Sequence, residues 1–125
     1  FNEVVKLNFN LEYLYTCLLD SSNELTYRKK IMWTPDFVGS LIIQANFDYF
    51  SIKLDANYVG LRYKTNMNLG YLPPYVLVNF GGEFSKFKHI IPYIKIDNVL
   101  NWQYHNVEGY PMPGISLTLG SKVKW

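Results

Sequence analysis

The chain is poor in most features that mark a small folded domain. One cysteine, Cys17, excludes an internal disulfide framework and offers no metal-site spacing. Charged residues are scarce, at 18% of the chain, where soluble proteins carry ~25%. Net charge is only +2 and no basic run exceeds Arg28-Lys29-Lys30, which gives a nucleic-acid partner no footing. No apolar run approaches the ~20 residues of a membrane helix, and there is no signal-peptide pattern. No methionine precedes Phe1, so the chain reads as the tail of something longer.

What is abundant is aromatic and alternating. The 125 residues include 11 Tyr, 8 Phe and 3 Trp. The dominant period is two, the signature of strands. In "VKLNFNLEYLYTC" the positions Val5, Leu7, Phe9, Leu11, Tyr13, Tyr15 and Cys17 are apolar or aromatic, against Lys6, Asn8, Asn10, Glu12 and Thr16. "FVGSLIIQANF", "SIKLDANYVG", "YVLVNFGGEF" and "IPYIKIDN" repeat the scheme. The closing stretch sets Ile115, Leu117, Leu119, Val123 and Trp125 against Ser116, Thr118, Lys122 and Lys124. The expectation is an all-β, antiparallel up-and-down meander of about six strands, each roughly ten residues long, enough to cross a bilayer at a tilt.

The connections carry an independent signal. They run from Leu19 to about Pro35, Asp48 to Phe50, Lys64 to Pro74, Ser85 to His89 and Asn101 to Pro113. Long and short alternate strictly, as in outer-membrane barrels with short periplasmic turns and long outer loops. On that reading the strands are part of a transmembrane β-barrel, and Trp125 and the C-terminus fall on the periplasmic side.

One face of every strand is uncharged; the other carries Lys6, Glu12, Lys53, Asp55, Glu83, Lys95, Asp97, Lys122 and Lys124. A Lys or Arg facing lipid at the midplane costs ~2–4 kcal/mol, so the apolar face should be the outer one. A soluble sheet with one face on a core explains the alternation equally well, but leaves the sorted loops and the aromatic excess unexplained. Tyr13, Tyr15, Tyr58, Tyr63 and Trp125 suit interfacial girdles, where a ring sits half in lipid.

Chemistry finds little support. His89 and His105 stand apart without a paired carboxylate or cysteine spacing. Gly81-Gly82 lacks the strand-to-helix context of a phosphate loop, and Asp20-Ser21-Ser22-Asn23 reads as an ordinary polar loop. No nucleophile–base–orienter set is present. Neither an enzyme, a cofactor nor a metal site is expected.

The last eight residues, "TLGSKVKW", place Thr118, Gly120, Val123 and Trp125 at the offsets of an assembly signal. The pattern resembles the C-terminal signal by which outer-membrane proteins engage the barrel assembly machinery, with Trp in place of the usual Phe. A machine that pairs with an incoming edge strand needs unpaired backbone and an aromatic to seat. "LDANYVGLRY", "LPPYVLVNFGGEF" and "IDNVLNWQYHNVEGYPMPGISLTLGSKVKW" are similar, in order and spacing, to the end of TonB-dependent outer-membrane receptors. The match covers about Leu54 to Trp125. Ile115 departs from it, standing where those receptors usually carry Arg, and so does Pro92, which lies inside the fifth strand.

The resemblance implies that residues 1–125 are the C-terminal part of such a barrel, its plug domain and earlier strands lying outside this chain. It implies a location in the outer membrane of a diderm bacterium and uptake of a scarce ligand: an iron chelate, cobalamin or a similar metal complex. Outer-membrane lipid, the assembly machinery, the protein's own plug and TonB are the implied partners. "GYPMPG" reads as a rigid outer loop, with Tyr104, Tyr110 and Met112 as candidate ligand contacts, or more commonly as a turn that sets the last strand's register. Lys53, Asp55, Lys95 and Asp97 are candidate lumen residues, lining the path or bracing the plug. The competing readings are a non-transporting outer-membrane barrel, porin-like or an adhesin, and a soluble β-sandwich binding module.

Overall fold

The computed structural model describes residues 4–125. Its strands begin with β1 (Val4–Tyr13), β2 (Phe37–Asn46) and β3 (Phe50–Val59). A small hairpin, β4 (Arg62–Tyr63) with β5 (Tyr71–Leu72), precedes β6 (Tyr75–Phe84) and β7 (Ile90–Asp97). A second one, β8 (His105–Val107) with β9 (Tyr110–Pro111), leads into β10 (Ser116–Val123). The six long strands make one antiparallel sheet in the order β1-β2-β3-β6-β7-β10. It is the expected meander, with the short strands confined to two of the long loops.

The register aligns the alternation of all six strands. One row runs Leu7, Ile43, Leu54 and Phe80, then Ile96 and Leu117. The neighbouring row on the opposite face runs Lys6, Gln44, Lys53, Gly81, Lys95 and Thr118. A slip of one residue in any strand would mix the two sets, so the pattern itself specifies the pairing.

Two prolines explain where the ladders stop. The alternation in the first strand continues to Cys17, yet β1 ends at Tyr13, opposite Phe37. Leu14 N–H still donates to the Asp36 carbonyl at 2.8 Å, and the next partner in register is Pro35, which has no N–H to give. The chain instead folds back, with Leu18 N–H donating to the Lys29 carbonyl and the Leu18 carbonyl accepting from Arg28 N–H across the loop. In β7, the ladder to β6 begins only at Glu83–Tyr93, one residue past Pro92, while the ladder to β10 runs straight through it. The cost of Pro92 is confined to one side of its strand.

No second sheet or helix covers the uncharged face among the described residues. Buried hydrophobic residues number two, Leu72 and Tyr75, both at the foot of the second long loop. The accessible surface is 9146 Å², whereas a compact monomer of 14.7 kDa exposes roughly 6,900 Å² by the usual mass scaling. Among the described residues no second sheet packs on the first to make a β-sandwich.

Candidate functional site

The long loops leave one end of the sheet: residues 14–36, 60–74 and 98–115. Short turns, 47–49 and 85–89, close the other end. Among the described residues, the five non-glycine residues with left-handed backbone, Arg28, Trp33, Asn68, Asn98 and Asn101, all lie in the long loops. Such conformations cost about 1–2 kcal/mol each and persist only where surroundings hold them.

They are held by a network that joins the three loops. Asn68 accepts from Lys30 N–H at 2.8 Å and donates to the Lys30 carbonyl at 2.8 Å. Asn66 accepts from Met32 N–H at 3.1 Å, and Trp33 N–H donates to the Tyr63 carbonyl at 2.8 Å. These bonds clamp the first loop to the second. Lys30 also pairs with Asp36. The hydrogen bond it donates to that carboxylate holds the ammonium above the usual lysine range, against a smaller opposing effect of burial. The lysine's share of the pair is therefore present at neutral pH and is lost as pH rises through the raised value.

The second and third loops meet at an aromatic cluster. Tyr75 O–H donates to Asn106 at 2.7 Å, and its ring lies 4.5 Å from that of Tyr104. The Arg62 guanidinium sits 4.9 Å from the Tyr75 ring centre, is buried, and donates to the Pro73 carbonyl at 3.4 Å. Its Nε has no partner among the described residues. The ring quadrupole is the main compensation for a cation taken out of water. Lys64 and Glu108 add an ion pair between the same two loops.

The third loop is anchored at its root by two asparagines. Asn98 is buried, with φ 51°; it accepts from Trp102 N–H at 2.8 Å and donates to the carbonyls of Trp102 and Pro113. Asn101 accepts from Ile115 N–H at 3.0 Å. A Cβ on Gly114 would collide with the Asn101 side chain, so glycine is required for that contact. The loop thus delivers the chain into β10 at a defined register.

Of the candidate ligand contacts, Tyr110 is the most exposed, whereas Met112 and Tyr104 are half-buried. Tyr104 packs on Tyr75, and its carbonyl accepts from Met112 N–H at 3.0 Å. It belongs to the loop scaffold, and Tyr110 is the free side chain.

The polar face bears a groove of about 360 Å³, with Lys53, Asp55, Asn79, Gly81, Lys95 and Lys122 among its lining. The four lumen candidates all contribute to this face without forming one cluster. Lys95 pairs with Asp97 on its own strand at 2.8 Å. Asp55 accepts from Asn57 at 3.0 Å and from Asn79 at 2.8 Å. Lys53 stands opposite Gly81, with no ion pair among the described residues. The ion pair that bridges strands is Glu83 with Lys122, reaching over Tyr93.

In β10, Thr118 and Gly120 lie on the polar face, opposite Lys95 and Tyr93, while Val123 lies on the uncharged one. A Cβ on Gly120 would fall 2.5 Å from the Tyr93 ring, so what approaches the glycine is an aromatic ring of the neighbouring strand. Trp125 lies beyond the strand, fully exposed, and Lys124 N–H donates to the His89 carbonyl at 2.9 Å. Among the described residues no group of three His, Cys, Asp or Glu is placed to hold a metal ion.

No protein-family model and no curated protein sequence matches this chain. Solved structures do. A point mutant of the ferric enterobactin receptor of Pseudomonas aeruginosa (PfeA), in complex with enterobactin, superposes with TM-score 0.69 at 18% identity. PfeA in complex with BCV-L6 gives 0.70 at 17%. Each match covers 94% of this chain. The sheet has the fold of a TonB-dependent receptor's barrel wall. The chain spans only 20% of the length of that receptor.

Sequence reasoning singled out the polar-face lysines and the closing strand but gave no role to Arg62, Tyr75, Asn68 or Asn106. Arg62 and Tyr63 stand inside the quoted "NYVGLRY". An arginine bracketed by aromatic and apolar residues was the one available signal that its charge would be buried.

Proposed function

We propose that this chain is part of the wall of a TonB-dependent receptor in a bacterial outer membrane, serving uptake of a scarce metal complex. The observation that carries the reading is the uncharged face shared by six antiparallel strands and left uncovered, in a sheet whose long and short connections are sorted to opposite ends. A strand-built surface of this kind is stable where hydrocarbon wets it. The polar face, with its groove and lysines, then lines the lumen and faces a plug. The edges β1 and β10 pair with further strands of a closed barrel. Thr118, Gly120, Val123 and Trp125 serve assembly, and the C-terminus lies in the periplasm. The loop network forms the outer rim around the ligand's entrance, with Tyr110 its most available contact.

A ferric catecholate siderophore is the first ligand to try, because the two structures compared above are of a ferric enterobactin receptor. The test is growth on ferric enterobactin under iron limitation, in cells that depend on the gene encoding this chain. Growth lost on deletion and restored by complementation supports the reading; uptake unaffected by deletion for iron chelates and cobalamin alike favours a non-transporting barrel. Sidedness is checked by cysteine labelling of intact cells in a Cys17→Ser background. Tyr110→Cys should label from outside, and Lys86→Cys only after the membrane is opened. Asn66 and Asn106 are poor reporters, because both side chains hold the loop network together.

A further inference from the structure

The short-turn end of the sheet carries a feature that the transport reading does not use. Where Pro92 keeps β7 from pairing with the end of β6, the strands part and leave a slot of about 340 Å³. Phe50, Gly82, Phe84, Pro92 and Ile94 line it from the uncharged face, and Ser51, Glu83 and Tyr93 close it from the polar one. Gly82 keeps the slot open, since a Cβ there would press on Ile94 at 3.2 Å. Pro92 also lines a second groove of about 380 Å³, which continues to the rim along Ile90, Phe87, Lys88 and His89. The lining along the sheet is mostly apolar; its one charged group, Glu83, is paired with Lys122, and the unpaired charge is Lys88 at the lip.

The lip is rigid and positive. His89 Nδ1 lies 3.3 Å from the Lys124 carbonyl, and Lys124 N–H donates back to the His89 carbonyl. Ser85 N–H donates to the Tyr49 carbonyl at 2.7 Å, joining the two short turns, and Lys86 stands over the Tyr49 ring. Lys86, Lys88 and Lys124 have no ion-pair partner among the described residues, and the turns contribute a single carboxylate, Asp48. A mostly apolar groove ending at unpaired ammonium groups has the charge order of a membrane lipid: tail first, phosphate last.

We propose that this rim binds one anionic glycerophospholipid, with an acyl chain along the Pro92 slot and the phosphate at Lys88, backed by Lys86. The proposal rests on the reading that the uncharged face meets lipid, and it adds a specific occupant at one place on that face. The aromatic residues Phe87, Phe84 and Tyr49 flank the site at the depth where rings favour the bilayer interface.

The experiment uses the native protein that contains this chain, purified in detergent. It is placed in nanodiscs of phosphatidylcholine alone or mixed with phosphatidylglycerol, and retained lipid is counted by native mass spectrometry. Phosphatidylglycerol should be retained selectively, and each of Lys86→Gln and Lys88→Gln should weaken its retention about fivefold, the effect of one lysine at an anionic surface. Both substitutions lie in an exposed turn, and the thermal melt of the variants confirms that they fold. Equal retention of phosphatidylcholine and phosphatidylglycerol by the folded protein overturns the site and leaves the barrel reading standing. A protein that does not enter nanodiscs at all overturns both.

Discussion

Asn98 shows how much one side chain can determine. It ends β7 with left-handed backbone, which asparagine adopts at lower cost than most residues. Its amide then satisfies an N–H and two carbonyls of the departing loop. Two substitutions separate these contributions. Asn98→Gly keeps the backbone conformation and loses the hydrogen bonds, costing about 1–3 kcal/mol for polar groups left unpaired. Asn98→Ala loses the same bonds and adds about 1–2 kcal/mol of backbone strain. Alanine should therefore be the worse of the two, with faster amide exchange at Trp102 in both; equal exchange in the two variants would show that the backbone conformation carries no strain. Gly120 makes a second case. Its missing side chain is replaced by the Tyr93 ring, so Gly120→Ala should cost about 1–3 kcal/mol by overpacking. Gly120→Ala should cost much less in a Tyr93→Ala background, where the ring is absent. A full cost in the double variant, read from denaturant unfolding, would mean that the glycine is needed by the backbone and not by the ring.

At the scale of elements, the strands and their inserts differ in how they can be read from sequence. A ten-residue strand with one buried or lipid-facing side repeats its polarity five times, so β1, β2, β3 and β6 announce themselves. Their ends do not, because an end depends on the partner. The run to Cys17 looks like strand until Pro35 is known to stand opposite Tyr15. The hairpins β4–β5 and β8–β9 are two or three residues per strand and too short to show any period. The loop clamps are less legible still. Asn68 and Asn66 reach partners 38 and 34 residues away, and nothing local in the sequence marks those pairs. The clamp itself is testable. Asn68→Ala removes two hydrogen bonds to the Lys30 backbone, roughly 2 kcal/mol together, which corresponds to some thirtyfold more frequent local opening. Trypsin should then cut the first loop at Arg28–Lys30 while the sheet stays intact. Unchanged cleavage would show that the loops are held independently.

For the whole molecule, the question is what wets the uncharged face. Hydrophobic residues make up 49% of the chain, yet the described residues bury two of them as a core. In water that surface would associate, and the open edges β1 and β10 would template further pairing. In a bilayer the same surface is solvated, and the sorted connections place both turn types outside the hydrocarbon. Leu54 lies midway along its strand, between Ile43 and Phe80, in the central row of that face. Asn57 lies on the opposite face of β3, paired with Ser40 and Leu77. Arginine placed at each position asks which face meets lipid. Leu54→Arg should cost about 2–4 kcal/mol, the depth-dependent penalty for a cation at the midplane. Asn57→Arg exchanges one water-facing polar group for another and should cost well under that. The comparison is read in the native protein as the denaturant midpoint in bilayers, together with the amount of folded protein reaching the membrane. If the two variants were equally stable, the uncharged stripe would not be facing hydrocarbon. If Asn57→Arg were the damaging one, the inside and outside of the wall would be reversed.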